Sequence, residues 1–392
     1  MIQFESKNGL VKIYAETIEE QAVQQIKQIA DSPIGENANI RIMPDAHSGA
    51  GCCIGTTMHV VDKVCPNVVG VDIGCGVTLA KTNVRFQDNL ERLDKVIRYY
   101  IPSGRNIHEN ITISPQFFGS MHCWGFLDFE TRKKAMHSCG TLGGGNHFIE
   151  VYEGGYIAVH SGSRNIGLRV ANYYQDLAEN ACKKRREEEF KKGLEQTEPR
   201  MRGVYVANYK KKIFDNSLAY LEGEDLTNYI NDSKIICEFA SINRFRILDT
   251  IVSQMGGYIN KENVIESVHN YIASDRIIRK GAIAAYAGET CVIPLNMRDG
   301  VLICKGKGNS DWNYSAPHGA GRLYSRKEAK QKFTMKEFRD SMQNVYTTCI
   351  NPDTLDEAPF AYKDAQEIMK TIEPTVSIVK RLVPLYNFKA AD

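Results

Sequence analysis

The sequence predicts a mixed α/β (α+β) fold: one large domain, residues 1–392, in which mixed β-sheets are flanked by helices. Three observations predict it. Short apolar or alternating runs recur along the chain, and several end in glycine-rich turns. Amphipathic helical patterns and long loops separate them. Between about Ile166 and Val252 the character changes to long charged helical patterns with few glycines, which reads as a helical insertion within the domain.

The first helix is expected from Thr17 to about Asp31. Thr17 and Glu20 form a capping-box pair, and Ile18, Ala22, Ile26 and Ile29 fall on one face. Strands are expected at Asn39–Met43, Val77–Thr82, Tyr156–His160, Gly281–Ala287, Thr290–Ile293 and Val301–Cys304. A helix starts near Thr334, whose partner Glu337 repeats the capping box, with Phe338, Met342 and Val345 turned inward. The tail alternates as a strand through Val376, Ile378, Lys380 and Leu382, bounded by Pro374 and Pro384.

Composition excludes several classes. The 49 Lys+Arg and 47 Asp+Glu leave a net charge of +2, so any polyanion site must be local rather than spread over the whole surface. No apolar run is long enough to span a bilayer, and the N-terminus has no charged-then-apolar leader pattern, so a cytoplasmic protein without a membrane partner is expected. The 11 cysteines are odd in number and form no CxxC pair, which argues for reduced thiols, most of them buried.

The chemistry concentrates in runs rich in Gly, Asn, Asp and His. Met43-Pro44-Asp45-Ala46-His47-Ser48-Gly49 sets an acid and an imidazole two residues apart after a strand; an Asx turn with a surface histidine is the alternative. In Gly70-Val71-Asp72-Ile73-Gly74-Cys75-Gly76, a carboxylate and a thiol share one tight turn. That pairing suits a divalent metal, and a thiolate can bridge two; a buried structural Cys is the alternative. Gly140–Glu150 is a glycine-rich loop running into Asn146, His147, Phe148 and Glu150, able to cradle phosphate or present a metal ligand, without the spacing of a Walker or dinucleotide motif. The strand ending at His160 releases Ser161, Ser163 and Arg164 together, a grouping that suits phosphate. His269 is a bare signal. Asp72, Cys75, His147, His160 and His269 together supply enough donors for one or two transition-type ions with shared ligands. Finally, His318 in Ser315-Ala316-Pro317-His318-Gly319-Ala320-Gly321-Arg322 is followed by small residues that admit a ligand. A neutral imidazole there can attack phosphorus, and Arg322 can neutralise phosphate.

Taken in order, these segments, with Lys389 near the C-terminus, resemble the RtcB family of RNA ligases. The resemblance implies a GTP- and Mn²⁺-dependent enzyme joining an RNA 3′-phosphate or 2′,3′-cyclic phosphate end to a 5′-hydroxyl, in RNA repair or tRNA splicing. It implies that His318 takes GMP from GTP and passes it to the RNA 3′-phosphate. Cys75 would bridge two Mn²⁺ completed by Asp72, His147, His160 and His269, with Asp45 assisting. Asn146, Phe148, Glu150, Asn296, Gly319, Ala320, Gly321 and Lys389 would line the guanylate pocket, and Arg164 and Arg322 would hold RNA. An archease-like activating partner is a further implication.

The chain departs from the family pattern in places. Pro294-Leu295-Asn296-Met297-Arg298-Asp299-Gly300 stands where better-known members carry a Pro-Gly-Ser-Met-Gly-like loop, and Leu385-Tyr386-Asn387-Phe388 precedes Lys389. A competing reading is a dinuclear metal phosphodiesterase or phosphatase acting on RNA ends, which would need neither His318 nor Lys389. RNA itself is expected on a local basic face: six basic residues in Lys183–Lys192, then Arg200, Arg202 and Lys210–Lys212, with Tyr205 and Tyr209 available for stacking. A merely solvated helix surface is the alternative.

Overall fold

A computed structural model describes residues 1–210 and 216–390. Lys211 and Lys212 of the expected basic face lie outside the described residues. Among the described residues no helix is long and apolar enough to cross a membrane.

The mixed α/β class is observed. A five-stranded antiparallel sheet forms the centre, in the order Ile259–Val268, Gly76–Thr82, Tyr156–Ser161, Phe148–Tyr152, Pro384–Lys389. Its two faces bury different partners, as strand alternation requires. Val77, Leu79 and Ala158 meet Val292, Val301, Ile303 and Leu382 of a three-stranded sheet. Ala80, Ile149, Ile157 and Val159 meet Ile247, Leu248 and Ile251 of the helix Gly223–Gln254. A six-stranded sheet holds Ile2–Ser6, Gly9–Ile13, Arg41–His47, Ile54–His59, Ile277–Lys280 and Asn270–Ile272, with one parallel pair. The first helix and the helix Arg164–Gln196 share its core.

Several expected boundaries move, each for a local reason. The first helix spans Glu20–Ala30 with Ala22, Ile26 and Ile29 buried as expected, but no side chain caps it. Glu19 Oε2 is taken instead by the Ser48 hydroxyl at 2.5 Å. The strand expected to end at Met43 continues to His47, its register shifting across Pro44, which has no N–H to give the ladder. Asp45 and His47 therefore sit on a strand, not a turn. The run Gly281–Ala287 yields only Ala282–Ala284, because Gly281 at φ +64° breaks it from Ile277–Lys280. Thr334 and Glu337 do form a capping box; the helix stops at Ser341, leaving Met342 and Val345 buried just beyond it. The tail strand forms over Val376–Leu382 as expected, and Pro384 beyond it also opens a second strand, Pro384–Lys389, at a first position where its missing donor is harmless.

Candidate metal and nucleotide site

Register brings the metal candidates together. On the central sheet Gly76 pairs with both Ser161 and Val268, and His160 pairs with Phe148. Cys75, His147, His160 and His269 are thus delivered to one end of adjacent strands, and the turn carrying Asp72 closes over them.

Two triads result, Asp72/Cys75/His147 and Cys75/His160/His269, and Cys75 belongs to both. Cys75 Sγ lies 3.6 Å from His147 Nε2 and 3.3 Å from His160 Nε2. His160 Nε2 is 3.4 Å from His269 Nε2, and His147 Nε2 is 3.4 Å from Asp72 Oδ2. Outer partners fix the tautomers: His147 Nδ1 donates to the Leu142 carbonyl at 2.8 Å and His160 Nδ1 to that of Asn146 at 3.1 Å. In a neutral ring held this way, Nε2 faces inward with its lone pair free, as in a metal-ligating imidazole. Burial, helped by neighbouring imidazoles, pushes His160 and His269 well below the usual histidine range, so they stay neutral. Lone pairs on mixed N, O and S donors, facing one another, fit divalent transition-type cations. Packing leaves no slack: a Cβ on Gly162 would fall 2.1 Å from Asp72 Oδ1.

The helix Gly223–Gln254 holds this arrangement in register. The buried Arg244 donates to the carbonyls of Gly74 and Ser161 at 2.7 and 2.8 Å and pairs with Glu266 at 2.8 Å. Its neighbour Asn243 accepts from the Gly140 and Thr141 amides and donates to the Gly162 carbonyl. Two side chains thereby tie down the turns bearing Cys75, His147 and His160.

His318 lies next to the cluster, its ring centroid 4.9 Å from that of His269. Its Nδ1 is 2.6 Å from Oδ2 of the fully buried Asp45, with neither atom in an aligned hydrogen bond. Gly321, at φ +74°, permits the approach of the two segments, since a Cβ there would sit 2.8 Å from the Asp45 carbonyl.

From His318 a cleft of about 200 Å³ runs toward Lys389. Asn146, Phe148, Glu150, Asn296, Gly319, Ala320, Gly321, Arg322 and Lys389 all line it, and it reaches the cluster at His160 and His269. Glu150 accepts from Tyr152 and Asn387, each at 2.6 Å; burial outweighs these bonds and lifts its carboxyl to about 7. Asn296 spends its side chain on its own loop, accepting from the Arg298 and Asp299 amides and donating to Asp299. Arg164 is not in the cleft lining: its guanidinium donates to Thr141 and to the Leu142 and Gly104 carbonyls, bracing the glycine-rich loop. Tyr205 and Tyr209, expected to be available for bases, pack their rings on Phe190.

Sequence reasoning missed Glu357, Arg326, Tyr362 and Asn387. Glu357 pairs with Lys389 at 2.7 Å and Arg322 at 3.1 Å and accepts from Tyr362 at 2.6 Å. Burial alone would raise its carboxyl, but Lys389 and Arg322 hold it down to about 2 from an ordinary 4.5. A depressed carboxyl contributes stability above pH 4.5 and loses it as pH falls toward 2. Glu357→Gln should therefore cost about 3 kcal/mol near neutrality, with roughly 2 of those 3 gone by pH 3. Urea unfolding across that range checks it, and a gap independent of pH would contradict it.

Comparison with known proteins agrees with this geometry. The family model described as tRNA-splicing ligase RtcB matches residues 25–125 and 125–390. The chain is 28% identical over 422 aligned residues to the RNA-splicing ligase RtcB of Escherichia coli K12, covering 96% of both chains. It is 25% identical to the tRNA-splicing ligase RtcB of Aeropyrum pernix, over 83% of this chain and 82% of that one. A third relative, RNA-splicing ligase RtcB homolog 1 of Entamoeba dispar, is 26% identical over 88% of this chain. With the family model covering nearly the whole length and the shared-cysteine cluster opening onto the His318 cleft, the chain belongs to the RtcB family.

Proposed function

We propose that this protein is a GTP- and Mn²⁺-dependent RNA ligase that joins 3′-phosphate or 2′,3′-cyclic phosphate ends to 5′-hydroxyl ends, in RNA repair or tRNA splicing. The observation that carries the reading is the position of His318, between a cation cluster sharing one thiol and a cleft furnished for a purine. Asp72, Cys75, His147, His160 and His269 would hold two cations, which supply positive charge against the triphosphate and RNA phosphate oxygens.

The chain's own residues do the rest. With Nδ1 turned to Asp45, His318 presents Nε2 to the α-phosphorus of GTP. As the N–P bond forms, the bond to pyrophosphate breaks, and the Asp45 carboxylate stabilises the positive charge growing on the ring. Lys389 uses two of its three N–H bonds on Glu357 and the Asn146 carbonyl, leaving one donor for guanine O6. Glu150 accepts from the N1–H and N2–H edge. Adenine presents the opposite pattern and would meet donor against donor. Arg322, in the cleft lining, commits four of its five N–H groups to Tyr324, Glu357, Tyr362 and Asp356 and keeps one for RNA phosphate; for Arg164 the same role requires its two uncommitted N–H groups.

Guanylyl transfer turns the RNA 3′-phosphate into a mixed anhydride; the 5′-hydroxyl attacks the 3′-phosphorus, the phosphodiester forms as the bond to GMP breaks, GMP leaves, and the hydroxyl proton passes to solvent. The site belongs to a single catalytic domain, residues 1–392, with 166–252 as its helical part, working in the cytoplasm and open to an archease-like activator. Incubation of 3′-phosphate and 5′-hydroxyl RNA ends with Mn²⁺, with and without GTP, tests the reading. Joined RNA only when GTP is present is expected. Hydrolysis of the ends with no need for GTP would point to the phosphodiesterase reading instead.

A further inference from the structure

We infer that Asn387 is a specificity-determining residue that reads the 2-amino group of the guanine base; the inference rests on the guanylate reading of the cleft. Asn387 lies on the strand Pro384–Lys389, directly across from Glu150 on Phe148–Tyr152. It is fully buried and lines the cleft. Its Nδ2 donates to Glu150 Oε1 at 2.6 Å, which leaves the amide oxygen, Oδ1, as the end not spent on the acid.

The other end is left over. Asn387 Oδ1 has no hydrogen-bond partner, although buried amide oxygens are nearly always satisfied. An acceptor stranded in this way carries a desolvation cost that a bound donor removes.

The base offers that donor. Guanine's exocyclic amino group has two N–H bonds. Glu150 can take one, together with N1–H, and Asn387 Oδ1 beside it can take the other. Lys389 at one side, with Glu150 and Asn387 at the other, then match the acceptor–donor–donor edge of guanine. A base lacking the amino group leaves Oδ1 stranded, and a site that has committed a buried polar group rejects the analogue that cannot use it.

The test compares covalent labelling of the full chain by GTP and by inosine triphosphate, which lacks only the 2-amino group, in Mn²⁺. The wild type should label with GTP at least about tenfold more efficiently. In Asn387→Ala and Asn387→Ser that ratio should fall by about tenfold, with the loss on the GTP side. Were Asn387 only a prop for Glu150, both nucleotides would lose equally, and an unchanged ratio overturns the proposal. Equal labelling of the wild type by both nucleotides overturns it without any variant, whatever the variants' folding. Labelling by neither nucleotide would instead bring down the ligase reading beneath it.

Discussion

Cys75→Ala is expected to empty both cation positions together, cutting Mn²⁺ affinity by at least about 100-fold and abolishing RNA joining. Cys75 is the single residue common to the two triads, so its removal subtracts a ligand from each. His269→Ala, by contrast, belongs to one triad and should spare the ion near Asp72 and His147. Calorimetric titration with Mn²⁺ gives the stoichiometry, and the electron paramagnetic resonance of bound Mn²⁺ reports whether two ions are coupled. Two tight equivalents retained in Cys75→Ala would contradict a shared thiolate.

Arg244→Met should be the most damaging substitution outside the cleft. The guanidinium is 0% exposed and satisfies the Gly74 and Ser161 carbonyls, Thr78 and Glu266 at once. Methionine preserves much of the volume but strands those acceptors and leaves Glu266 without its cation. Glu266 is about a third exposed and keeps Thr78 and Ser241 as partners, so the cost falls mainly on the buried Gly74 and Ser161 carbonyls, at about 1–3 kcal/mol each. Because Gly74 precedes Cys75 and Ser161 follows His160, Mn²⁺ affinity should fall as well. Urea unfolding and the same titration measure both effects. Stability within about 1 kcal/mol of wild type would mean that the helix does not pin the site.

These two residues mark what sequence could and could not convey. Cys75, like Asp72, His147 and His160, stands out because its chemistry sits beside glycines at a strand end, where side chains of that type rarely serve packing alone. That the thiol is shared follows from strand register, which pairs Gly76 with both Ser161 and Val268, and no local pattern encodes that pairing. Arg244 is hidden for a different reason. It lies in a long helical stretch whose charged face reads as solvated, and only the packing of that helix on the central sheet turns the charge inward. Glu357 sits in the short turn Pro352–Glu357 among residues with no chemical signature, and its meaning comes from Lys389, far along the chain. The capping box at Thr334 is legible because its partners are three residues apart; the pair Thr17 and Glu20 has the same spacing, but the helix starts only at Glu20 with Glu19 as its N-cap, which leaves Thr17 outside it.

The central claim is a phosphorus–nitrogen bond at one imidazole. The protein, incubated with GTP and Mn²⁺, should be digested under alkaline conditions that spare phosphoramidates, and the peptides mapped by mass spectrometry. One guanylyl group on the peptide bearing His318, lost on brief acid treatment and absent from His318→Ala, is the expected result. A guanylyl group on any other residue, or RNA joining that persists in His318→Ala, would contradict it.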